Sequence, residues 1–246
     1  MTDALTLDPQ VGYHALELLE RFMTTHLIKL LTTLTPQGAA AAQPISYEDA
    51  VLDKLQKKFP FIIFSCVQLA SKMSLHTNII DNNTALRFLR SVGYSASKKA
   101  LLDLELMVLK GLDFKLDVCN PLTYVETILE VLGYNEPSVP IERTYELCQQ
   151  VLQFVVLEKT AIYDSLLMVT TQCQNPSLEQ RERFSTVTED CMLLGVAVVA
   201  VALYIFHISQ WEKVVEELSN ITGISRRSII DFSHVTLLHI VDSPHL

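Results

Sequence analysis

The sequence is poor in charge and in glycine, and each shortage excludes a class of protein. Charged residues make up only 19 % of the 246 residues, whereas hydrophobic residues make up 49 %, a balance that is too apolar for an intrinsically disordered chain. Only 7 glycines are present, which is few for the tight turns of most β-rich folds. The composition therefore predicts a globular helical protein of one large or two small domains.

Basic residues are also scarce, because 19 Lys and Arg oppose 28 Asp and Glu and give a net charge of −9. Affinity for nucleic acid depends on clustered cations that release counterions from the phosphates. The basic pairs of this chain are isolated and are typical of solvated helix faces: Lys57–Lys58, Lys98–Lys99 and Arg226–Arg227. We therefore expect no direct binding to DNA or RNA.

The motifs of the common catalytic and cofactor sites are missing from the sequence. It has no Gly-x-Gly-x-x-Gly, no phosphate loop, no Gly-x-Ser-x-Gly and no His-Glu-x-x-His. His234 and His239 lie five residues apart, off a common helical face, and no cysteine spacing is that of a zinc site. Adjacent acids such as Glu216 and Glu217 are expected on wet helix faces rather than in a pocket. The prediction is no enzyme activity, no cofactor and no metal.

Paired cysteines and an export signal are missing as well. The five cysteines are odd in number and form no Cys-x-x-Cys pair, which argues against a disulfide framework. The start, Met1-Thr2-Asp3, lacks the basic and apolar parts of a secretory signal. We expect the chain to stay inside the cell in a reducing compartment.

One long apolar run is present, from Cys191 to Ile208, and His207 is its only strongly polar side chain. Its 18 residues reach the lower limit for a membrane span. Acids rather than basic residues flank it, and the centre of a helical bundle requires the same all-round apolar character. A buried core helix is the favoured interpretation, with a membrane span as the alternative, so we expect no membrane association.

Apolar residues recur at helical spacing almost throughout and predict about ten helices. The first is expected from Asp8 to about His26, with a buried stripe of Tyr13, Leu16, Leu19, Phe22 and Met23. A connector at 35–44 follows, and a short helix opened by Ser46–Asp49 comes next. Phe59 to about Ser74 is predicted as a separate, strongly buried helix with Pro60 in its first turn.

The remaining helices are predicted from their end signals, which are Ser, Asn and Pro before a helix and Gly after it. They are expected at 82–92, 97–110, 121–132, 141–163, 186–208, 209 onward and 225–241. The stretch Phe114–Asn120 is the one clear joint between two helical runs. It predicts a domain boundary near residue 118, with domains at 1–117 and 118–246.

Two charged residues lie where apolar ones are expected. Glu105 sits in the middle of the apolar stripe formed by Leu101, Val108, Leu109 and Leu112, so its carboxylate needs a partner. Upstream, Lys72 ends the buried helix and aligns with Ser65 and Gln68. One interpretation is a partly buried bridge that fixes how two helices meet, and this is favoured by spacing alone. The other is that both residues also point at a partner protein.

Three segments at correct separation carry a family resemblance: Leu69-Ala70-Ser71-Lys72, the segment Leu104–Leu116, and Asn120-Pro121-Leu122-Thr123-Tyr124. They resemble the cyclin box, over nearly the whole chain. The resemblance implies an all-α, cyclin-like fold of two five-helix-type repeats. More narrowly, the chain resembles a divergent cyclin-like group of animals that is associated with meiotic crossover maturation.

Site residues follow from the resemblance by position. Lys72 and Glu105 match the Lys and Glu that support the contact of cyclins with a cyclin-dependent kinase, and Glu20 matches an acid near the end of the family's second helix. Where most cyclins continue with an aromatic and two acids, this chain reads Met73-Ser74-Leu75. The helix around Tyr13–Met23 aligns with the second helix of the box. We therefore expect residues 1–117 to be a first repeat without its first helix, and 118–246 to be the second repeat.

The function implied by the resemblance is that of a non-enzymatic regulator or scaffold that promotes meiotic crossover maturation through protein–protein interactions. Its expected partners are a cyclin-dependent kinase, bound weakly or not at all without the first helix, or meiotic recombination factors. Its expected location is nuclear, on the chromosomes of meiotic cells, with a cytoplasmic location left open. The alternative is an activating regulatory subunit of a cyclin-dependent kinase.

Overall fold

The computed structural model describes residue 5 and residues 7–34, 45–74, 79–206 and 211–243. Within these ranges the chain forms α-helices and no β-strand, which confirms the all-α class. The helices are α1 Pro9–Leu34, α2 Ile45–Met73, α3 Asn82–Ser91, α4 Lys98–Gly111, α5 Pro121–Asn135, α6 Ile141–Leu157, α7 Lys159–Thr171, α8 Leu178–Thr188, α9 Cys191–Phe206, α10 Trp211–Thr222 and α11 Arg226–Asp242.

The chain divides into two compact units, Met1–Cys119 with α1 to α4 and Asn120–Leu246 with α5 to α11. The second unit begins at a strong helix start. The side chain of Asn120 caps α5 by accepting a hydrogen bond from the backbone N–H of Leu122 at 3.1 Å, and Pro121 occupies the first turn. Proline suits this position because the first turn of a helix has no intrahelical acceptor for its N–H.

In the first unit, α1 runs further than predicted and buries a different stripe. The buried residues are Val11, Ala15, Leu18 and Phe22, so only Phe22 of the predicted stripe lies fully in the core. Leucines at 16, 18 and 19 make two neighbouring stripes equally apolar, and periodicity alone does not choose between them. The predicted Tyr13, Leu16, Leu19 and Met23 are half-buried beside the chosen stripe.

The predicted separation between a short helix and the helix at Phe59 is wrong, because α2 is one helix from Ile45 to Met73 with Pro60 inside it. An interior proline costs about 3 kcal/mol, since it removes a hydrogen bond and crowds the carbonyl four residues earlier. Burial of most residues from Ile62 to Ser71 offsets this cost. The predicted connector at 35–44 and the side chains at 46–49 lie outside the described residues.

The core of the first unit forms where α2 packs against α1 and α4, with α3 packing on α4. Asp81 and Ser97 cap α3 and α4 by accepting hydrogen bonds from the backbone N–H groups of Thr84 and Ala100. At the end of α4, Gly111 lies so close to Phe22 that an added Cβ would come within 2.6 Å of two ring atoms. This close approach holds α1 against the end of α4.

The second unit is built around α9, which packs against α5, α6, α10 and α11. Ten residues of α9 are buried, so the predicted core helix is confirmed over Cys191–Phe206, and the predicted extension to 208 lies outside the described residues. Gly195 allows the closest contact, since an added Cβ would lie 2.8 Å from Cβ of Tyr124. Among the described helices none is long and apolar enough to cross a membrane alone. The helix pair α8 and α9, bent by 74°, would be long and apolar enough together, judged by length and composition only.

Two helix predictions in this unit are wrong in their bounds. The predicted helix at 141–163 is interrupted at Glu158 and continues as α7. The predicted helix at 186–208 is preceded by α8, and α9 begins only at Cys191. The sequence does contain signals for both helix starts. Ser177 and Gln180 form a capping box at the start of α8, and Asp190 accepts hydrogen bonds from the N–H groups of Met192 and Leu193 in the first turn of α9.

Candidate partner-binding site

The structure brings Lys72 and Glu105 together at the junction of α2 and α4. Lys72 lies in the last turn of α2, and its Nζ donates a hydrogen bond to Oε1 of Glu105. The Glu105 side chain is only 9 % exposed, whereas that of Lys72 is 36 % exposed. The pair therefore joins the core of the first unit to its surface.

Glu105 lies in the core because of its place on α4. Its neighbours on the same helical face, Leu101, Val108 and Leu112, are all buried, as the sequence predicted. Leu109, also predicted there, is partly buried against the same core. A buried carboxylate without a cation is costly, because an ion in an apolar interior loses its hydration. Lys72 supplies the compensating charge.

A polar cluster beside this pair links the end of α2 to the start of α3. The amide Nε2 of Gln68 donates to the backbone carbonyl of Ile80 at 3.1 Å and to Oδ1 of Asn82 at 2.9 Å. The hydroxyl of Ser71 donates to the backbone carbonyl of Gln68 at 2.8 Å and accepts from the N–H of Ile80 at 3.3 Å. Sequence reasoning missed Asn82 and Ile80, since these contacts join residues 9 to 14 positions apart.

Glu20, the third residue singled out from the sequence, lies exposed on α1 between the buried Leu18 and Phe22. Its backbone carbonyl accepts a hydrogen bond from the Thr24 hydroxyl at 2.8 Å. The geometry of Lys72 and Glu105 is thus that of a pair between two helices, while Glu20 is a surface residue of a third helix. The role of all three in partner binding stays a prediction.

Beyond α4 the chain turns through two left-handed residues, Asp113 at φ 51° and Phe114 at φ 58°. Residues with a side chain seldom adopt this region, and a bulky residue there is strained. The Phe114 side chain is 62 % exposed. A hydrogen bond of 2.9 Å between His14 Nε2 and the Leu116 carbonyl holds the segment that follows. The turn therefore presents an aromatic ring to solvent directly after α4.

The described residues contain no group of three His, Cys, Asp or Glu side chains that could hold a metal ion. Burial raises the pKa of the Cys66 and Cys148 thiols to about 12, so both thiols are protonated and unreactive at neutral pH.

One histidine contact is of a type found in catalytic sites, a 2.9 Å hydrogen bond between Ser165 and His239 in the second unit. The Lys72–Glu105 junction is a charged pair that is exposed at its Lys72 end.

The all-helical fold, with its Lys–Glu pair between the end of α2 and the middle of α4, agrees with the resemblance to the cyclin box. No protein-family model matches the chain. The chain is 41 % identical over 239 residues to cyclin N-terminal domain-containing protein 1 of Homo sapiens, covering 97 % of this chain and 72 % of the human protein. It is 39 % identical over 241 residues to the Mus musculus protein of the same name, covering 98 % and 72 %. The chain therefore belongs to the family of cyclin N-terminal domain-containing proteins.

Proposed function

We propose that this chain is a non-enzymatic cyclin-like scaffold that promotes meiotic crossover maturation by binding other proteins. Membership of a cyclin-domain family supports the regulatory part of the proposal. The resemblance to the divergent animal group described above supports the meiotic part. The observation that carries partner binding is the Lys72–Glu105 pair, in which Glu105 lies in the core and Lys72 reaches the surface.

The chemistry of the pair suits a protein contact. A lysine ammonium has three hydrogen-bond donors, and Lys72 uses one of them on Glu105. The partly exposed ammonium keeps donors for the carbonyl groups of a partner. Covering the pair would also remove water from it and strengthen its electrostatic attraction. Glu20 is proposed as a further contact from its match to the family alone.

The experiment is affinity purification from meiotic cells with the intact chain as bait, followed by mass spectrometry. We expect meiotic recombination factors to copurify, and Lys72→Ala or Glu105→Ala to reduce their recovery. Lys99→Ala is the matched control, because Lys99 is an exposed lysine on α4. Equal recovery with all three variants, at melting temperatures lowered only for the first two, would make the pair structural and contradict the proposed contact.

The second candidate is an activating subunit of a cyclin-dependent kinase, which the match of Lys72 and Glu105 to the kinase-contacting residues of cyclins favours. The purified chain would be run with candidate kinases on a sizing column and assayed for phosphorylation of a peptide substrate. Stable co-elution with stimulated phosphorylation would establish the kinase-activating function and contradict the proposal of a scaffold that does not activate a kinase. Elution as separate species with unchanged kinase activity would contradict the function of a kinase-activating subunit.

The proposed location is the nucleus, on the chromosomes of meiotic cells. Immunofluorescence on spread meiotic chromosomes tests this directly. Discrete chromosomal foci support the proposal. A signal confined to the cytoplasm contradicts it.

A further inference from the structure

A groove of about 360 Å³ lies between α1 and α4 of the first unit. Its volume is in the range of about 300–1,000 Å³ that ligand pockets occupy. The groove is lined from both helices by Phe22, Thr25, His26, Lys29, Asp103, Leu106, Met107, Lys110 and Gly111. All of these residues belong to one compact unit.

The floor of the groove is apolar. The ring of Phe22 stacks on that of His26 with centroids 5.0 Å apart, and Gly111 brings the backbone of α4 against the same ring. Leu106 stands at the mouth with 43 % of its surface exposed, next to the half-buried Met107. Flexible and branched apolar side chains of this kind receive the apolar anchors of a partner helix.

The rim of the groove is basic although the whole chain is acidic. Lys29 lies on the α1 side and Lys110 on the α4 side, while Asp103 is the one acid among the lining residues. Burial lowers the pKa of His26, and the nearby ammonium groups of Lys58 and Lys29 lower it further. A chain of net charge −9 thus has a locally positive groove.

The groove uses a different face of α4 from the Lys72–Glu105 pair. Its α4 residues Asp103, Leu106, Met107 and Lys110 follow i, i+3, i+4, i+7 spacing and share one side of the helix. The Glu105 face is buried in the core. The groove and the pair are therefore two separate surfaces of α4.

We propose that this groove binds an acidic amphipathic helix of a partner protein. Apolar side chains of that helix contact Leu106 and Met107 above the buried ring of Phe22, and its flanking carboxylates pair with Lys29 and Lys110. The apolar floor selects a helix with anchors one turn apart, and the basic rim selects acidic flanks. This surface goes beyond the proposed function, which rests on the Lys72–Glu105 junction.

The test is selection of binders to the full chain from a displayed library of random peptides about 15 residues long, enough for four helical turns. We expect the selected peptides to carry Asp or Glu beside apolar residues at i, i+3 or i+4, and to bind more weakly as salt concentration rises. Leu106→Glu and Lys110→Glu should each weaken binding of the synthesised peptides at least about tenfold.

The chain offers matched controls for both variants. Leu102 lies on α4 with the same 43 % exposure as Leu106 but outside the groove lining, so Leu102→Glu should leave binding within about twofold. Lys99→Glu is the matched control for Lys110→Glu, because Lys99 is an exposed lysine of α4 outside the groove lining. Selected peptides without acidic residues, or equal loss in the control and groove variants, would overturn the proposal.

A second copy of the chain is the competing occupant, and sedimentation of the chain alone distinguishes it. The proposal expects wild type and Leu106→Glu to sediment alike as the same species. Self-association that Leu106→Glu abolishes and Leu102→Glu preserves would assign the groove to the second copy and overturn the acidic-partner assignment.

Discussion

The two units are organised around central helices of opposite character. In the first, α2 buries Ser65, Gln68 and Ser71 as well as apolar residues, and its last turn reaches the surface through Lys72. In the second, α9 buries only small and apolar residues. Polar groups inside a core need partners and geometry, whereas apolar side chains need only complementary shape. The contrast belongs to the two central helices, because the helices around α9 also bury polar side chains, namely Thr144 of α6 and Ser233 and Thr236 of α11.

The largest expected effect is a charge placed in the centre of α9. Val199 is fully buried, and Val199→Glu should lower the free energy of unfolding by about 5 kcal/mol, because the carboxylate would lose its hydration among the buried apolar residues of α9. Denaturant unfolding followed by circular dichroism measures this. The control is Met192→Glu at a 38 % exposed site of α9, which should change stability by less than about 0.5 kcal/mol. A tolerated Val199→Glu would contradict the requirement for apolar residues in the buried part of α9.

The next effect compares the close helix contacts of the two units. A Cβ at 195 would meet Cβ of Tyr124 and come 3.4 Å from the backbone nitrogen of Val125, whereas a Cβ at 111 meets only ring atoms of Phe22. A ring moves more easily than a backbone. Gly195→Ala should therefore destabilise by about 2 kcal/mol and Gly111→Ala by about 1 kcal/mol. Thermal unfolding of both variants checks the order, and the reverse order would show that α1 and α4 are held more rigidly than α5 and α9.

The sequence predicted those features that depend on local signals or on one helical face. Glu105 was placed correctly because Leu101, Val108 and Leu112 repeat at helical spacing around it. The start of α5 was readable from Asn120-Pro121. By contrast, the stripe of α1 was misplaced because several adjacent leucines satisfy the same period.

Features that depend on tertiary contacts could not be read from the chain. The continuity of α2 through Pro60 depends on packing that offsets a local penalty. The hydrogen bonds of Gln68 to Ile80 and Asn82 join different elements, and nothing in the spacing identifies them. The basic rim around Phe22 likewise appears only when α1 and α4 are placed side by side. For the candidate site, the pair was accessible from the sequence and its polar surroundings were not.

An effect of similar size to that of Gly195→Ala is expected at the polar core of the first unit. Lys72→Ala leaves the carboxylate of Glu105 without its cation and should destabilise by about 2 kcal/mol, less than the full value for a buried pair because Lys72 is 36 % exposed. Adding Glu105→Leu to this variant removes the unpaired charge and should recover most of the loss. Urea unfolding of the single and double variants measures the coupling. No recovery in the double variant would mean that Glu105 is stabilised by groups other than Lys72.

The last comparison concerns the two buried thiols, one in each core. Cys66 lies in α2 and Cys148 in α6, and burial raises the pKa of each thiol to about 12. An unfolded thiol ionises near about pH 8.5, so the free energy of unfolding should fall as pH rises above that value, while the folded thiols stay protonated up to about 12. Below about pH 8.5 the two buried thiols make their full contribution to the free energy of unfolding, which no longer changes with pH on their account.

Alkylation followed by peptide mass mapping separates the two sites. Exposed Cys119 should react at once and serves as the internal reference. Cys66 should react faster than Cys148, because its helix also buries Ser65 Oγ and Gln68 Oε1, which have no hydrogen-bond partner among the described residues, and unsatisfied polar groups favour local opening. Lys72→Ala should accelerate Cys66 more than Cys148. If Cys148 reacts first in the wild type, the second unit opens more readily and the contrast between the two cores does not extend to their dynamics.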